Sequence, residues 1–319
     1  MLKVVALQIC FPLVALSPLL FAGNHLASTK KGSPTDGIAI RVSVDLVMLP
    51  VTVTDRNGRS IAGLKQGNFR IFDNGMEQAI HYFSTGDVPI SMGLVLDRSG
   101  SMAEMKDEVY KAAFHNVGAS SPQDEFFIMT FDEETELWQN FSTDRELLRK
   151  RLKKIKVKGG TALYDAISTG LTHIRQAKHD KKVLLVVTDG DDNKSQTTFP
   201  ELLERLRQEN VALYAIALWD KDTPFAPGHD LESLAARLIQ LGEVSGGRAY
   251  FPRSKRECEQ TSLAIAEELH LQYGLGYYPN PRPRGGDWHS VHIQLQLPEE
   301  QSKNGLAARA RAGYFAPQH

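Results

Sequence analysis

Three short stretches place oxygen-bearing side chains at the ends of apolar runs. Asp97-Arg98-Ser99-Gly100-Ser101 directly follows the apolar residues 93–96, so a carboxylate and two hydroxyls alternate along one loop and can turn toward one point. Gly159-Gly160-Thr161 opens the helical pattern that starts at Ala162 and sets another hydroxyl at a tight turn. Asp189 closes the run 183–187 and is followed by Gly190. Carboxylate and hydroxyl oxygens suit a hard cation, and these loops hold no His or Cys for zinc. Few charged ligands favour Mg²⁺, which keeps waters and octahedral geometry, over Ca²⁺, which prefers more carboxylates; Mn²⁺ also fits. With two carboxylates at most, such an ion stays electrophilic and keeps a position that a partner's Asp or Glu can complete. Each residue also has an ordinary structural role. Ser99, Ser101 and Thr161 are good helix N-caps, and Asp189 before a glycine is a good turn residue. The coincidence of all three loops favours the metal.

The elements that must hold these loops follow from periodicity. Continuous apolar runs at 93–96, 126–131, 183–187 and 211–218 suit strands buried on both faces. They alternate with helical patterns at 104–117, 145–155, 162–177, 199–210 and 231–241, and a strand at 248–251 and a helix at 255–270 complete the series. This predicts an α/β fold, a doubly wound and mostly parallel sheet of Rossmann type, with all three loops outside the carboxyl ends of strands. The flanks read as β. Ile40, Val42, Val44, Leu46 and Met48 alternate, residues 51–54 continue past Pro50, and Asn57-Gly58 and Asn74-Gly75 supply turns. Phe69 and Ile71, then Ile80, Tyr82 and Phe83, mark strands on either side of the second turn. Residues 273–277 and 291–297 alternate as well, and 307–315 reads as one last strand. Each flank alone buries too little surface to stand by itself. Both are therefore expected to pair into a small β-sandwich formed by the N- and C-terminal segments, with the α/β domain inserted. The boundaries expected are 38–88 and 270–316 for the sandwich and 89–269 for the insert.

DRSGS at 97–101, GGT at 159–161 and TDG at 188–190, in that order and on those elements, resemble a von Willebrand factor type A (VWA) domain. The flanking VTVTDRNGRSIAGL at 51–64 and YGLGYYP at 273–279 look like the bacterial VWFA-related family of acidobacterial type. The resemblance implies a metal-ion-dependent adhesion site in which Asp97, Ser99, Ser101, Thr161 and Asp189 hold Mg²⁺ or Mn²⁺. It also implies a role in adhesion or complex assembly. Integrin β-type domains hold a second ion with an Asp pair just after the first motif; Met102-Ala103-Glu104 stands there in this chain. Asp165 and Tyr164, one turn beyond Thr161, are placed to support the site from behind. Asp191 and Asp192 read as solvated loop or rim charges, and His229, His289 and His292 lack metal-type spacing.

Composition narrows the function classes. The 319 residues are 42% hydrophobic, enough for a real core, and the formal net charge of −1 points to no nucleic-acid partner. The basic stretch 149–158 follows a helix start at Asp144 and carries Leu148, Leu152 and Ile155 at helical spacing, so it reads as a solvated helix face. Lys3 followed by the uncharged apolar residues 4–22 reads as a secretory signal within 1–27, or as a retained membrane anchor. The protein is thus expected to be exported: secreted, periplasmic or attached to the cell envelope. Cys10 lies in that segment and Cys258 stands alone in a helical pattern, as a small core residue. No Gly-rich phosphate loop follows a strand, no Ser-His-Asp or Cys-His set is visible, and position 99 lacks the second carboxylate of metal-dependent phosphotransferases. The expectation is a non-enzymatic module that recruits an acidic residue of a protein or other macromolecule. A metal-dependent hydrolase, or an envelope module with a purely stabilising metal, are the alternatives.

Overall fold

The computed structural model describes residues 46–86, 88–219, 230–298 and 305–317, all within one unit that begins at Val44. The apolar segment 4–22, Cys10 and His229 lie outside the described residues. The chain enters through four strands: β1 (Val47–Thr54), β2 (Phe69–Asp73), β3 (Met76–Gln78) and β4 (Tyr82–Ser84). The middle of the chain gives β5 (Ile90–Asp97), β6 (Glu125–Phe131), β7 (Thr135–Ser142), β8 (Lys181–Thr188), β9 (Val211–Ala217) and β10 (Arg248–Tyr250). Interleaved with them are α1 (Lys106–Ala119), α2 (Arg145–Leu152), α3 (Leu163–His173), α4 (Phe199–Gln208), α5 (Leu231–Ser245) and α6 (Lys255–His270). The chain ends with β11 (Tyr273–Tyr277), β12 (Trp288–Leu295), β13 (Ala307–Arg309) and β14 (Gly313–Phe315).

The central sheet has the order β10-β9-β8-β5-β6-β7, parallel except for β7. This is the doubly wound order in which the chain first moves outward on one side of β5 and then returns to build the other, so the switch point lies between β5 and β8. All eight residues of β5 are buried, as double coverage requires. Met92, Leu94 and Leu96 face a core shared with α1, α2 and α6, while Val95 faces one shared with α3, α4 and α5. Gly93 sits at a close crossing, where a Cβ would fall 2.2 Å from the Phe127 ring. Asp144 caps α2 by accepting the amides of Glu146 and Leu147, and Leu148, Leu152 and Ile155 turn inward. Lys150, Arg151, Lys153 and Lys154 remain exposed, a solvated basic face.

The flanks form two four-stranded sheets, β13-β1-β11-β4 and β14-β12-β2-β3, each drawing strands from both ends of the chain. Val47, Leu49, Val51 and Val53 alternate into the space between them and meet Phe69, Ile71, Tyr273 and Leu275. Asn74 (φ 48°) and Gly75 (φ 78°) make the tight turn between β2 and β3. Three sequence expectations change here. The strand after that turn is Met76–Gln78, whereas Tyr82 and Phe83 cross to the other sheet and pair with β11. The segment 307–315 is two strands, because β13 pairs with β1 and β14 with β12. Strand β7 was not anticipated.

Buried polar groups lock these layers. The Asp73 carboxylate accepts the Tyr277 and Tyr314 hydroxyls at 2.8 and 3.0 Å and meets His289 Nδ1 at 2.6 Å. Near the carboxyl end of α6, Glu268 accepts from the hydroxyls of Thr52, Tyr214 and Tyr250 and from Arg309. Four strands of the two architectures thus converge on one carboxylate. Cys258 is buried among the α1–α6 contacts, where burial pushes its thiol pKa up to about 11.

Candidate metal site

Asp97 ends β5 and Asp189 follows β8, so both carboxylates stand at the switch point. Asp97 is 3% exposed and Asp189 is 1% exposed. Asp97 Oδ1 accepts the Ser99 amide at 2.8 Å, and its Oδ2 accepts the Thr188 hydroxyl at 2.7 Å. The Thr188 oxygen in turn accepts the Gly190 amide at 3.0 Å, which fixes the turn that follows β8. Asp189 Oδ1 accepts the Asp191 amide at 3.1 Å, so it does serve the turn as well. The Ser99 and Ser101 hydroxyls lie 3.0 Å apart.

The hydroxyls are not helix caps. Helix α1 starts at Lys106 behind Met105, with no side-chain cap, and α3 starts behind Ala162, also without one. Ser99, Ser101 and Thr161 are therefore free of the structural role that their types offer. Backbone hydrogen bonds sew their loops together. The Gly100 amide donates to the Gly159 carbonyl at 2.9 Å, and the Lys158 amide to the Arg98 carbonyl at 2.8 Å. The Ala162 amide donates to the Asp132 carbonyl at 2.7 Å, and the Asn193 and Lys194 amides both reach the Thr161 carbonyl at 3.0 Å. Gly159 adopts φ 76°, a conformation a side chain resists, and a Cβ there would lie 3.3 Å from Asp132.

Burial raises three carboxylates of these loops, Asp97, Asp189 and Asp192. Burial, and then the charge of Asp189, push the Asp97 carboxyl up to about 7. Burial raises Asp189 too, against the opposing hydrogen bond from Ser101. The basic groups nearby are engaged elsewhere: Arg98 pairs with Asp132 at 3.0 Å and Glu136 at 3.1 Å, and Lys158 lies 3.8 Å from Asp132. Two desolvated carboxylates in mutual repulsion, ringed by hydroxyls and without a basic counter-ion, form a donor set that fits a hard divalent cation. Among the described residues no group of three or more His, Cys, Asp or Glu side chains has metal-binding geometry, so such an ion would depend on the hydroxyls.

All five residues singled out in the sequence fall on these interlocked loops, with Ser101 exposed at the rim. Asp165 stands one layer back, its carboxylate accepting the Gln196 and Thr197 amides at 2.8 and 2.9 Å, and Tyr164 accepts from Arg237 at 2.9 Å. Asp191, read as solvated, is 7% exposed, and Asp192 accepts from Ser195 and from the Tyr164 amide. The turn after Gly190 folds inward rather than outward. Sequence reasoning missed Thr188, Asp132 and Trp219. Trp219 donates to the Asp189 carbonyl and stacks on Phe251 at 5.0 Å. Asp132 follows the apolar run 126–131 just as Asp97 and Asp189 follow theirs, and that pattern was the available signal.

Residues 92–191 match the family model for the von Willebrand factor type A domain. An uncharacterized protein of Borreliella burgdorferi is 25% identical over 135 residues, 41% of this chain and 38% of that protein. Calcium-activated chloride channel regulator 1 of Equus caballus is 27% identical over 163 residues, 48% of this chain and 16% of the relative. The chain thus spans well under half the length of these curated relatives. The pilus adhesin SpaC from Lactobacillus rhamnosus GG, in an open conformation, superimposes with a TM-score of 0.50 at 9% identity, over 83% of this chain and 49% of that one, a likeness of fold.

Proposed function

We propose that this chain, which carries a von Willebrand factor type A domain, uses that domain as a metal-dependent binding module for an acidic group on a macromolecular partner. Asp97, Ser99, Ser101, Thr161 and Asp189 would hold one divalent ion, Mg²⁺ by the preference of its donors. The observation that carries the reading is the buried Asp97–Asp189 pair, held in repulsion by surrounding hydrogen bonds that serve no helix cap. When bound, the ion would neutralise that pair and offer its remaining position to a partner carboxylate. The chain's own task is orientation. Thr188 and the Ser99 amide fix the Asp97 carboxylate, while the Gly159 and Thr161 carbonyls anchor the neighbouring loops. Binding rather than turnover is favoured because no histidine or cysteine stands among these loops to form a Ser-His-Asp or Cys-His set. The adhesin likeness supports a protein-interaction role and a place outside the cytoplasm, since SpaC is a pilus protein. No helix among the described residues is long and apolar enough to cross a membrane.

Titration calorimetry with Mg²⁺, Mn²⁺ and Ca²⁺ on wild type, Ser99→Ala and Asp97→Asn tests the site. Wild type should bind, Ser99→Ala more weakly, and Asp97→Asn not measurably. Equal affinities in wild type and Asp97→Asn would remove the site. A crosslinking pull-down with Mg²⁺ and with chelator then tests the partner, and recovery that ignores the metal would leave the binding module without its mechanism.

A further inference from the structure

Away from the metal loops, the amino ends of β8 and β9 open onto a cleft of about 480 Å³ where the β-sandwich meets the central sheet. Asp180 and Lys182 line it from the start of β8, and Arg282, Arg311, Tyr314 and Phe315 line it from the sandwich. Arg311 is half-buried. Its guanidinium lies 5.5 Å over the Tyr314 ring, and its Nε is buried without a hydrogen bond. Among the described residues no carboxylate pairs with Arg311, Lys182 or Arg282. The other arginines of the cleft are matched, Arg175 by Glu209 and Arg207 by Glu204. A half-buried guanidinium without a counter-charge loses part of its hydration, and a ring face compensates only in part. The missing partner is an anion. A guanidinium fork fits the oxygens of a phosphate, and Lys182 and Arg282 add positive charge beside it. Asp180, exposed on the same wall, can accept from hydroxyls, and Phe315 adds an apolar edge to the lining. The volume falls in the range of small-ligand sites.

We propose that this cleft binds the phosphate ester of a hydroxylated body, with Arg311, Arg282 and Lys182 on the phosphate and Asp180 on a hydroxyl. The site is independent of the metal loops, so its test is run in chelator. The full chain is titrated by calorimetry at constant ionic strength with glycerol 3-phosphate, inorganic phosphate and glycerol, and is sedimented with phosphatidylglycerol or phosphatidylcholine vesicles. Glycerol 3-phosphate should bind saturably, inorganic phosphate several-fold more weakly, and glycerol not at all. Arg282→Ala, at an exposed position, and Arg311→Met should each weaken binding at least tenfold. Arg311→Met without ligand should melt no lower than wild type, since it removes an unmatched, half-buried charge. Retention on phosphatidylglycerol alone among the vesicles, lost in Arg282→Ala, identifies a lipid headgroup as the source; binding of the soluble ester without vesicle retention identifies a soluble one. No saturable binding in either arm, or binding that both arginine variants leave unchanged, overturns the proposal.

Discussion

Replacing Asp97 by Asn should stabilise the metal-free protein while abolishing its response to metal. The carboxyl is pushed from its ordinary 3.8 up to about 7, first by burial and then by Asp189. A folded-state pKa raised in this way contributes stability in acid, below about pH 4, and that contribution is lost as pH rises through about 7. The gap, at roughly 1.4 kcal/mol per pH unit, comes to about 4 kcal/mol by pH 8, of which roughly 2–3 kcal/mol develops above pH 5. Asn can keep the local hydrogen bonds. Its Oδ1 still accepts the Ser99 amide, and its Nδ2 can donate to the Thr188 oxygen, which has a lone pair beyond the one taken by the Gly190 amide. Urea unfolding at pH 5 and pH 8, in chelator and in Mg²⁺, reads the effect. In chelator, wild type should lose stability between pH 5 and pH 8 relative to the variant, which should be the more stable protein at pH 8 by up to about 4 kcal/mol. In Mg²⁺ at 100 times its dissociation constant, wild type should regain about 2.7 kcal/mol and the variant nothing. A variant less stable than metal-free wild type at pH 8, or equal stabilisation of both by Mg²⁺, would refute the account of Asp97 as a buried charge awaiting a cation.

Glu268→Ala should cost about 3–5 kcal/mol in chemical denaturation, because Arg309 and three hydroxyls lose a buried partner, and Arg309→Met in the same chain should recover part of it. Gly93→Ala should cost about 1–3 kcal/mol or more, or prevent folding, since the new methyl meets the Phe127 ring at 2.2 Å and Leu184 at 2.6 Å. Ser99→Ala should leave the far-UV circular dichroism unchanged and lower the melting-temperature gain in Mg²⁺ by less than Asp97→Asn does, as it removes a neutral ligand only.

Periodicity made β5, β6, β8 and β9 legible because strands covered on both faces are written as unbroken apolar runs. Strand β7 left no such trace. It is an antiparallel edge, its residues are half-buried or exposed, and its pairing with β6 slips at Phe126/Ile128 and Ile128/Met129. The last strand was misread for another reason. Residues 307–315 keep a strand-like composition throughout, yet the chain turns a corner after Arg309, where the Ala312 amide bonds the Val244 carbonyl, and changes sheets. Composition does not encode a change of partner. At the site, the five oxygen-bearing side chains were legible because each stands at a strand end or a glycine turn. What supports them was not. Thr188 opens the TDG stretch, yet nothing in the sequence gives its hydroxyl a role, which is to fix one oxygen of Asp97. Asp191 belongs to an acidic run that reads as solvated, and only the inward turn after Gly190 buries it.

The same features explain why the repulsive pair survives in a folded protein. A buried like-charge pair persists only where the surroundings over-determine it. Here the surroundings are the most regular part of the molecule: β5 is paired on both sides along its whole length, to β6 and to β8. Asp97 cannot swing away without breaking the register of Leu96 with Val187, and Asp189 follows the strand that carries Val187. The loops add backbone bonds between Gly100 and Gly159 and between Arg98 and Lys158, so relaxation of one loop would disturb the other. The positions of the two carboxylates are therefore set by the sheet and by the loop backbone. A cation binding as proposed would find its ligands already oriented, so that the free energy of neutralising the pair would go into affinity rather than into rearrangement. On the reading proposed above, an ion held there would keep a coordination position that a carboxylate from outside could fill. That open position is, on the same reading, what these loops would offer a partner.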